Sequence, residues 1–156
     1  MQWLKSGARK LGFVLTPQQV RQFCCYSQEL LAWNHKVNLT AITNPVDIER
    51  FHFLDSLTVA LALPKSLSAE YRICDVGSGA GFPGIPLKIL FPSARLTLIE
   101  STTKKSRFLS TLLETLGLDT VEILDGRSED LGHYATLRES FEVVVARGVA
   151  SLRVLA

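Results

Sequence analysis

The stretch Asp75-Val76-Gly77-Ser78-Gly79-Ala80-Gly81-Phe82-Pro83-Gly84 follows a short apolar run, Tyr71-Arg72-Ile73-Cys74, and precedes an amphipathic segment. That succession reads as strand, glycine turn, helix, the place where α/β proteins hold a nucleotide-containing ligand. A dinucleotide fingerprint requires glycines in a G-x-G-x-x-G pattern, and its last glycine position is here Phe82. The glycines instead alternate behind an acid at the strand end, and a proline follows. Such a loop lets backbone approach a ligand closely, but it is a poor cradle for a pyrophosphate. A nicotinamide oxidoreductase is therefore disfavoured.

Working outward, apolar runs at 72–76, 95–100, 121–124 and 142–146 read as strands, with helical stretches at 85–90 and 104–116 between the first three. Gly117 stands where a helix C-cap glycine belongs. Strand–helix alternation at this spacing implies right-handed crossovers and a parallel sheet. The near-continuous apolar run of residues 141–146 predicts a fourth strand buried on both faces.

Upstream the rhythm is helical. Thr16-Pro17-Gln18-Gln19 combines an N-cap, a proline at N1 and a capping-box Gln, and an apolar stripe runs from there to about Asn34. Asn44-Pro45-Val46-Asp47 opens a second helix carrying Ile48, Phe51, Leu54 and Leu57, which Pro64 ends. The chain divides into an N-terminal helical region, residues 1–67, and a cofactor-binding core, residues 68–156. Ser151-Leu152-Arg153-Val154-Leu155-Ala156 reads as the opening of a further helix, so the core is expected to be incomplete at its C-terminus.

Hydrophobic residues make up 47% of the 156, enough for one core, yet no uncharged apolar stretch reaches the ~18 residues that span a membrane. No apolar segment and cleavage site follow the basic residues near Met1, so no secretory leader is expected. Cys24, Cys25 and Cys74 have no metal-binding spacing, and His35, His52 and His133 are scattered. Reduced thiols, no metal and a cytoplasmic location are the expectation. A net charge of +2 leaves nucleic-acid binding to be decided by local clustering.

Parallel strands present ligands at their carboxyl ends. Those ends carry Asp75 and Gly77, then Glu100, which is placed to accept from ribose hydroxyls. The turn Gly126-Arg127-Ser128-Glu129 follows the third strand, and Arg147 follows the fourth, aimed either at the cleft or at solvent. Lys104, Lys105 and Arg107 cluster at a helix opening, as a phosphate contact or a solvated face. His52 and Asp55, three apart, can share a helix face. No G-x-S-x-G elbow accompanies them, so hydrolase chemistry is weakly supported.

Four stretches carry a family resemblance: Trp33-Asn34 through Ile42, His52-Phe53-Leu54-Asp55-Ser56, Asp75 through Pro86, and Val145-Ala146-Arg147-Gly148-Val149-Ala150. Together they resemble the ribosomal RNA small subunit methyltransferase G family, also called glucose-inhibited division protein B. The resemblance implies an α/β, Rossmann-like S-adenosylmethionine-dependent methyltransferase fold. Its parallel sheet would be truncated after the fourth strand and preceded by an N-terminal helical extension, since members of the family continue through further strands. It also implies transfer of a methyl group from S-adenosyl-L-methionine to guanine N7 in 16S rRNA of the small ribosomal subunit. By the family's pattern Gly77, Phe82, Ser128, Glu129 and Arg147 would contact the cofactor. Asp75, Gly79 and Glu100 join them from the strand-end reading, and Lys104 and Arg127 are assigned to RNA. Guanine N7 carries an in-plane lone pair and no proton, so no catalytic base is assigned. Proximity suffices, with Arg147 and His52 as orienting groups. A monomer acting on 16S rRNA or the small subunit, without metal or membrane, is expected. The alternative is a non-catalytic cofactor- or RNA-binding fragment.

Overall fold

Four strands, β1 (Arg72–Val76), β2 (Arg95–Glu100), β3 (Val121–Asp125) and β4 (Val143–Ala146), form one parallel sheet in the order β3-β2-β1-β4. The structure is a computed structural model and describes residues 1–63 and 71–149. With β2 and β3 lying on one side of β1 and β4 on the other, the strand order reverses between β1 and β4. That reversal makes a topological switch point at the carboxyl ends, where open parallel sheets bind ligands.

The helices between strands form for the reasons their sequences give. Helix α5 (Gly84–Leu90) buries every residue but its last. Helix α6 (Thr103–Leu116) turns Phe108, Leu109, Leu112, Leu113 and Leu116 inward at three- and four-residue spacing. It ends at Gly117 in the left-handed conformation, φ 59°. A single turn, α7 (Ser128–Leu131), follows β3.

In the N-terminal part, α2 (Pro17–Asn34) has the expected capping box between Thr16 and Gln19. The Gln19 amide also donates to the carbonyls of Ile89 and Leu90, at 2.8 and 3.2 Å, tying the start of α2 to the end of α5. An earlier helix, α1 (Gln2–Lys10), falls within the region expected to be helical, although no start signal marked its bounds; it buries Leu4 and Ala8, one turn apart. Leu4, Phe23, Leu30 and Phe53 belong to the same core cluster as Ile73, Leu98 and Phe108, so the N-terminal helices and the sheet are packed as one body.

Two expectations are corrected. The second helix is not one regular α-helix. After α3 (Pro45–Asp47) the backbone widens into a π-helix over Ile48–Leu54, resumes as α4 (Asp55–Thr58) and tightens into a 3-10 turn over Val59–Ala62. The Asp55 N–H accordingly reaches back five residues to the Arg50 carbonyl. The fourth strand, in turn, is buried on one face only. Among the described residues β4 pairs with β1 alone, and along it Val145 packs inward while Val144 on the other face is 63% exposed. Its apolar run records strand propensity on both faces and burial on one. Pro64, the 67/68 boundary and the helix opening at Ser151 lie outside the described residues.

Candidate functional site

Gly77 follows β1 with φ 68°, a conformation that favours glycine, and a Cβ there would collide with Val149 Cγ1. The next turns of the loop are pinned by Ser78, whose N–H donates to the Ile99 carbonyl and whose hydroxyl donates to the Asp75 carbonyl. Glu100 closes β2 nearly buried. One carboxylate oxygen accepts from Gly79 N and the other from Thr102 N, both at 2.8 Å. Each oxygen keeps a lone pair for a further donor, so Glu100 both fixes the loop and can receive a ligand hydroxyl.

The ends of β1, β2 and β3 enclose a cleft of about 200 Å³ lined by Gly77, Ile99, Ser101, Gly126, Arg127, Ser128, Glu129 and Val149. A larger hollow of about 440 Å³ opens at the opposite, amino ends of the strands beside Arg95, Leu96, Thr120 and Leu137. It lacks the glycine loop and the strand-end polar groups, and the smaller cleft is the chemically equipped one. Ser128 and Glu129 start α7 there, their side chains 3.2 Å apart.

Asp75 sits beneath the loop, fully buried. Its Oδ2 accepts from Gly84 N at 2.8 Å, and its Oδ1 has no partner among the described residues. Burial pushes its carboxyl up to about 7, against the opposing pull of the Gly84 N–H and the Arg147 charge. The role open to Asp75 in this arrangement is to hold the turn from β1 into α5.

Beside the cleft stands a second cluster, built on Phe82. The rings of Tyr26 and His52 both stack on Phe82, with centroids 5.2 and 4.5 Å away, and the Arg147 guanidinium lies 4.9 Å from the ring centre. Arg147 Nη1 donates to Asp55 Oδ2 at 2.9 Å, and Nη2 donates to His52 Nδ1 at 3.1 Å. Arginine cannot accept, so His52 Nδ1 is the bare nitrogen. The proton is then on Nε2, which donates to Thr40 Oγ1 at 2.7 Å. Burial, reinforced by the Arg147 charge, lowers the His52 pKa to about 4 and keeps the ring neutral. Thr40 is held in turn by Asn34, whose Oδ1 accepts from Leu39 N and Thr40 N and whose amide donates to the Thr40 carbonyl. Tyr26 donates its hydroxyl to the Ala80 carbonyl from below the loop.

Of the sequence-predicted residues, the structure brings Gly77, Arg127, Ser128 and Glu129 to the cleft wall and gathers Phe82, His52 and Arg147 beside it. Gly79 and Glu100 form the joint between β1 and β2. Lys104 is exposed on the first turn of α6 and is not part of the cleft wall. His52 and Asp55 do meet a common partner, but that partner is Arg147, and the hydroxyl beside His52, Thr40 Oγ1, accepts the Nε2 proton and is not activated as a nucleophile. Tyr26 and Asp55 complete the cluster. Tyr26 was hidden in an apolar helix stripe, where only its hydroxyl marked it out.

The loop fits an adenosine-bearing cofactor on structural grounds. Backbone at Gly79 faces open space, with nothing nearer to a Cβ there than the Gly77 carbonyl at 3.8 Å, and an anchored acid lies across from it. Among solved structures, the chain resembles a Klebsiella pneumoniae protein assigned as an O-methyltransferase, with TM-score 0.56 and 18% identity over 92% of this chain and 59% of that one. It also resembles a mutant of MtNAS solved in complex with S-adenosylmethionine, with TM-score 0.52 and 18% identity over 83% of this chain and 47% of that one. These likenesses establish the Rossmann-like fold. Sequence relatives named ribosomal RNA small subunit methyltransferase G come closer. The one from Alkaliphilus metalliredigens is 47% identical over 97% of this chain and 63% of its own length. That from Dehalococcoides mccartyi is 46% identical over 100% of this chain and 65% of its own. The chain thus spans less than two thirds of the length of these relatives. The profile of the family described as GidB, rRNA small subunit methyltransferase G, matches residues 19–156. With that match running through the loop, the Phe82 cluster and Arg147, the chain belongs to the rRNA small subunit methyltransferase G family.

Proposed function

We propose that this chain carries the cofactor half of an S-adenosylmethionine-dependent methyltransferase that modifies guanine N7 in 16S rRNA. The carrying observation is the joint at the switch point, where Glu100 closes β2 and binds Gly79 N of the glycine loop beside the Ser128–Glu129 wall. Family membership supports the same reading.

When bound, S-adenosylmethionine supplies an electrophilic methyl group on a sulfonium. The protein's part is placement. Glu100 and the Gly77–Gly79 backbone would receive the ribose side, and Ser128 and Glu129 would face the base. Asp75 acts from beneath by holding the turn. Phe82, braced by Tyr26 and His52, carries the Arg147 guanidinium at the edge of the site. Arg147 Nη2 occupies the His52 Nδ1 lone pair and burial lowers the ring's pKa to about 4, so His52 is not placed to take a proton, and Arg147 is spent as a donor. N7 has no proton to remove, and alignment of nucleophile and methyl supplies the rate. Arg127 on the cleft wall and Lys104 on α6 are assigned to the RNA backbone. The enzyme works as a cytoplasmic monomer without a metal.

Calorimetry should show S-adenosylhomocysteine binding and no NAD binding; the reverse would sink the reading. Methyl transfer from labelled cofactor to deproteinised rRNA and to small subunits then separates an enzyme from a binding module. Lys104→Ala should weaken RNA binding and flatten its salt dependence while leaving cofactor affinity alone.

A further inference from the structure

Two large aromatic side chains stand out of the N-terminal helices: Trp3 is 56% exposed and Phe51 is 51% exposed. They are not scattered. The Arg50 guanidinium lies 5.5 Å from the Trp3 ring centre and 5.1 Å from that of Phe51, so ring, cation and ring form one patch. Helix α1 buries Leu4 and Ala8, which leaves Trp3 off the core stripe. Lys10 lies seven residues on, two turns along the same face as Trp3, and is exposed. No acid occurs anywhere on α1. Val46, 41% exposed, adds a further apolar side chain on the neighbouring α3.

The patch is continuous with the site. The Phe51 carbonyl accepts from Arg147 Nη1 at 3.4 Å, and the next residue, His52, stacks on Phe82. An exposed aromatic pair interleaved with cations is what unpaired bases require: π-faces to stack on and positive charge for phosphates. A protein partner of ordinary composition would not need a helix whose charged residues, Lys5, Arg9 and Lys10, are all basic, and that charge bias decides the choice.

We propose that Trp3, Lys10, Arg50 and Phe51 form a stacking platform for single-stranded RNA next to the Arg147 cluster. It rests on the reading of RNA as the substrate, and it adds where the strand flanking the target guanine is held. Trp3 and Phe51 take unpaired bases; Arg50 and Lys10 meet the phosphates.

The test uses the protein's own fluorescence with a single-stranded oligouridylate as probe and the matched duplex RNA as control. Trp33, the other tryptophan, is packed edge-on against Phe108 and serves as an internal reference. The single strand should quench Trp3 emission and the duplex should not. Trp3→Ala should abolish the quench, and Trp3→Ala and Phe51→Ala should each weaken oligonucleotide binding by about 5- to 100-fold. Calorimetry should find their S-adenosylhomocysteine affinity unchanged, which separates a lost platform from a misfolded chain. Wild-type RNA affinity in both variants would overturn the platform and leave the RNA substrate standing. No RNA affinity in the wild type would overturn both. Binding to anionic lipid vesicles that depends on Trp3, with no response to RNA, would assign the patch to a membrane surface instead.

Discussion

Arg147 is held by four partners of different chemistry: the Asp55 carboxylate, the Phe51 carbonyl, the bare nitrogen of His52 and the face of Phe82. That arrangement holds only while His52 is neutral. Unfolded, its ring takes a proton below about 6.5, whereas folded it resists down to about 4, so His52 contributes stability above this window that is lost as pH falls through it. Asp75 works the other way. Its folded carboxyl keeps a proton up to about 7 against 3.8 unfolded, so stability falls as pH rises across that interval. The two slopes oppose each other. Thermal melts across pH should therefore show His52→Asn losing stability between about pH 4 and 7, and Asp75→Asn gaining it between about pH 4 and 6.5. Parallel slopes in the two variants would refute the assignment. Gly77 tests the cleft itself: Gly77→Val meets Val149 and an unfavourable φ, and should abolish S-adenosylhomocysteine binding by calorimetry. At this scale Phe82 was legible as a departure from a dinucleotide loop. Whether Arg147 faced the cluster or solvent was not, because its partner Asp55 lies 92 residues away in sequence.

The elements were largely legible, because caps and periodicity are local. The expected bounds of β1 and β2 match those found, and the Thr16 capping box and the Gly117 stop stand where the sequence put them. Gly117 gives a clean measurement, since a Cβ there meets no atom within 4 Å. Gly117→Ala should cost about 1 kcal/mol, from backbone conformation alone, in urea melts. The π-helix over Ile48–Leu54 was not legible. Its apolar spacing also fits a regular helix, and the widened turn is held by what it packs against: α1 on one side and the Phe82 cluster on the other. The exposed face of β4 escaped for a similar reason, as strand propensity does not report how many faces are covered.

At the scale of the whole molecule, a buried cation joins parts that periodicity treats separately. Lys88, 2% exposed, donates to the carbonyls of Pro92 and Ala94 at 2.6 Å each and to Thr120 Oγ1 at 2.8 Å. It thereby ties α5 to the approaches of β2 and β3. Lys88→Met should cost about 3 kcal/mol in urea melts, since it leaves buried carbonyls without donors. A cost under 1 kcal/mol would show that water replaces the ammonium. By itself the sequence determined the parallel α/β core and the glycine loop at the carboxyl end of its first strand. Strand and helix periods, caps and positive-φ glycines all act within a few residues. Only the tertiary structure decided that Asp75 lies under the loop, that His52 and Asp55 converge on Arg147, and that Trp3 and Phe51 face outward around Arg50. Those outcomes depend on packing and charge between segments far apart in the chain, where burial, and not local preference, sets what each side chain meets.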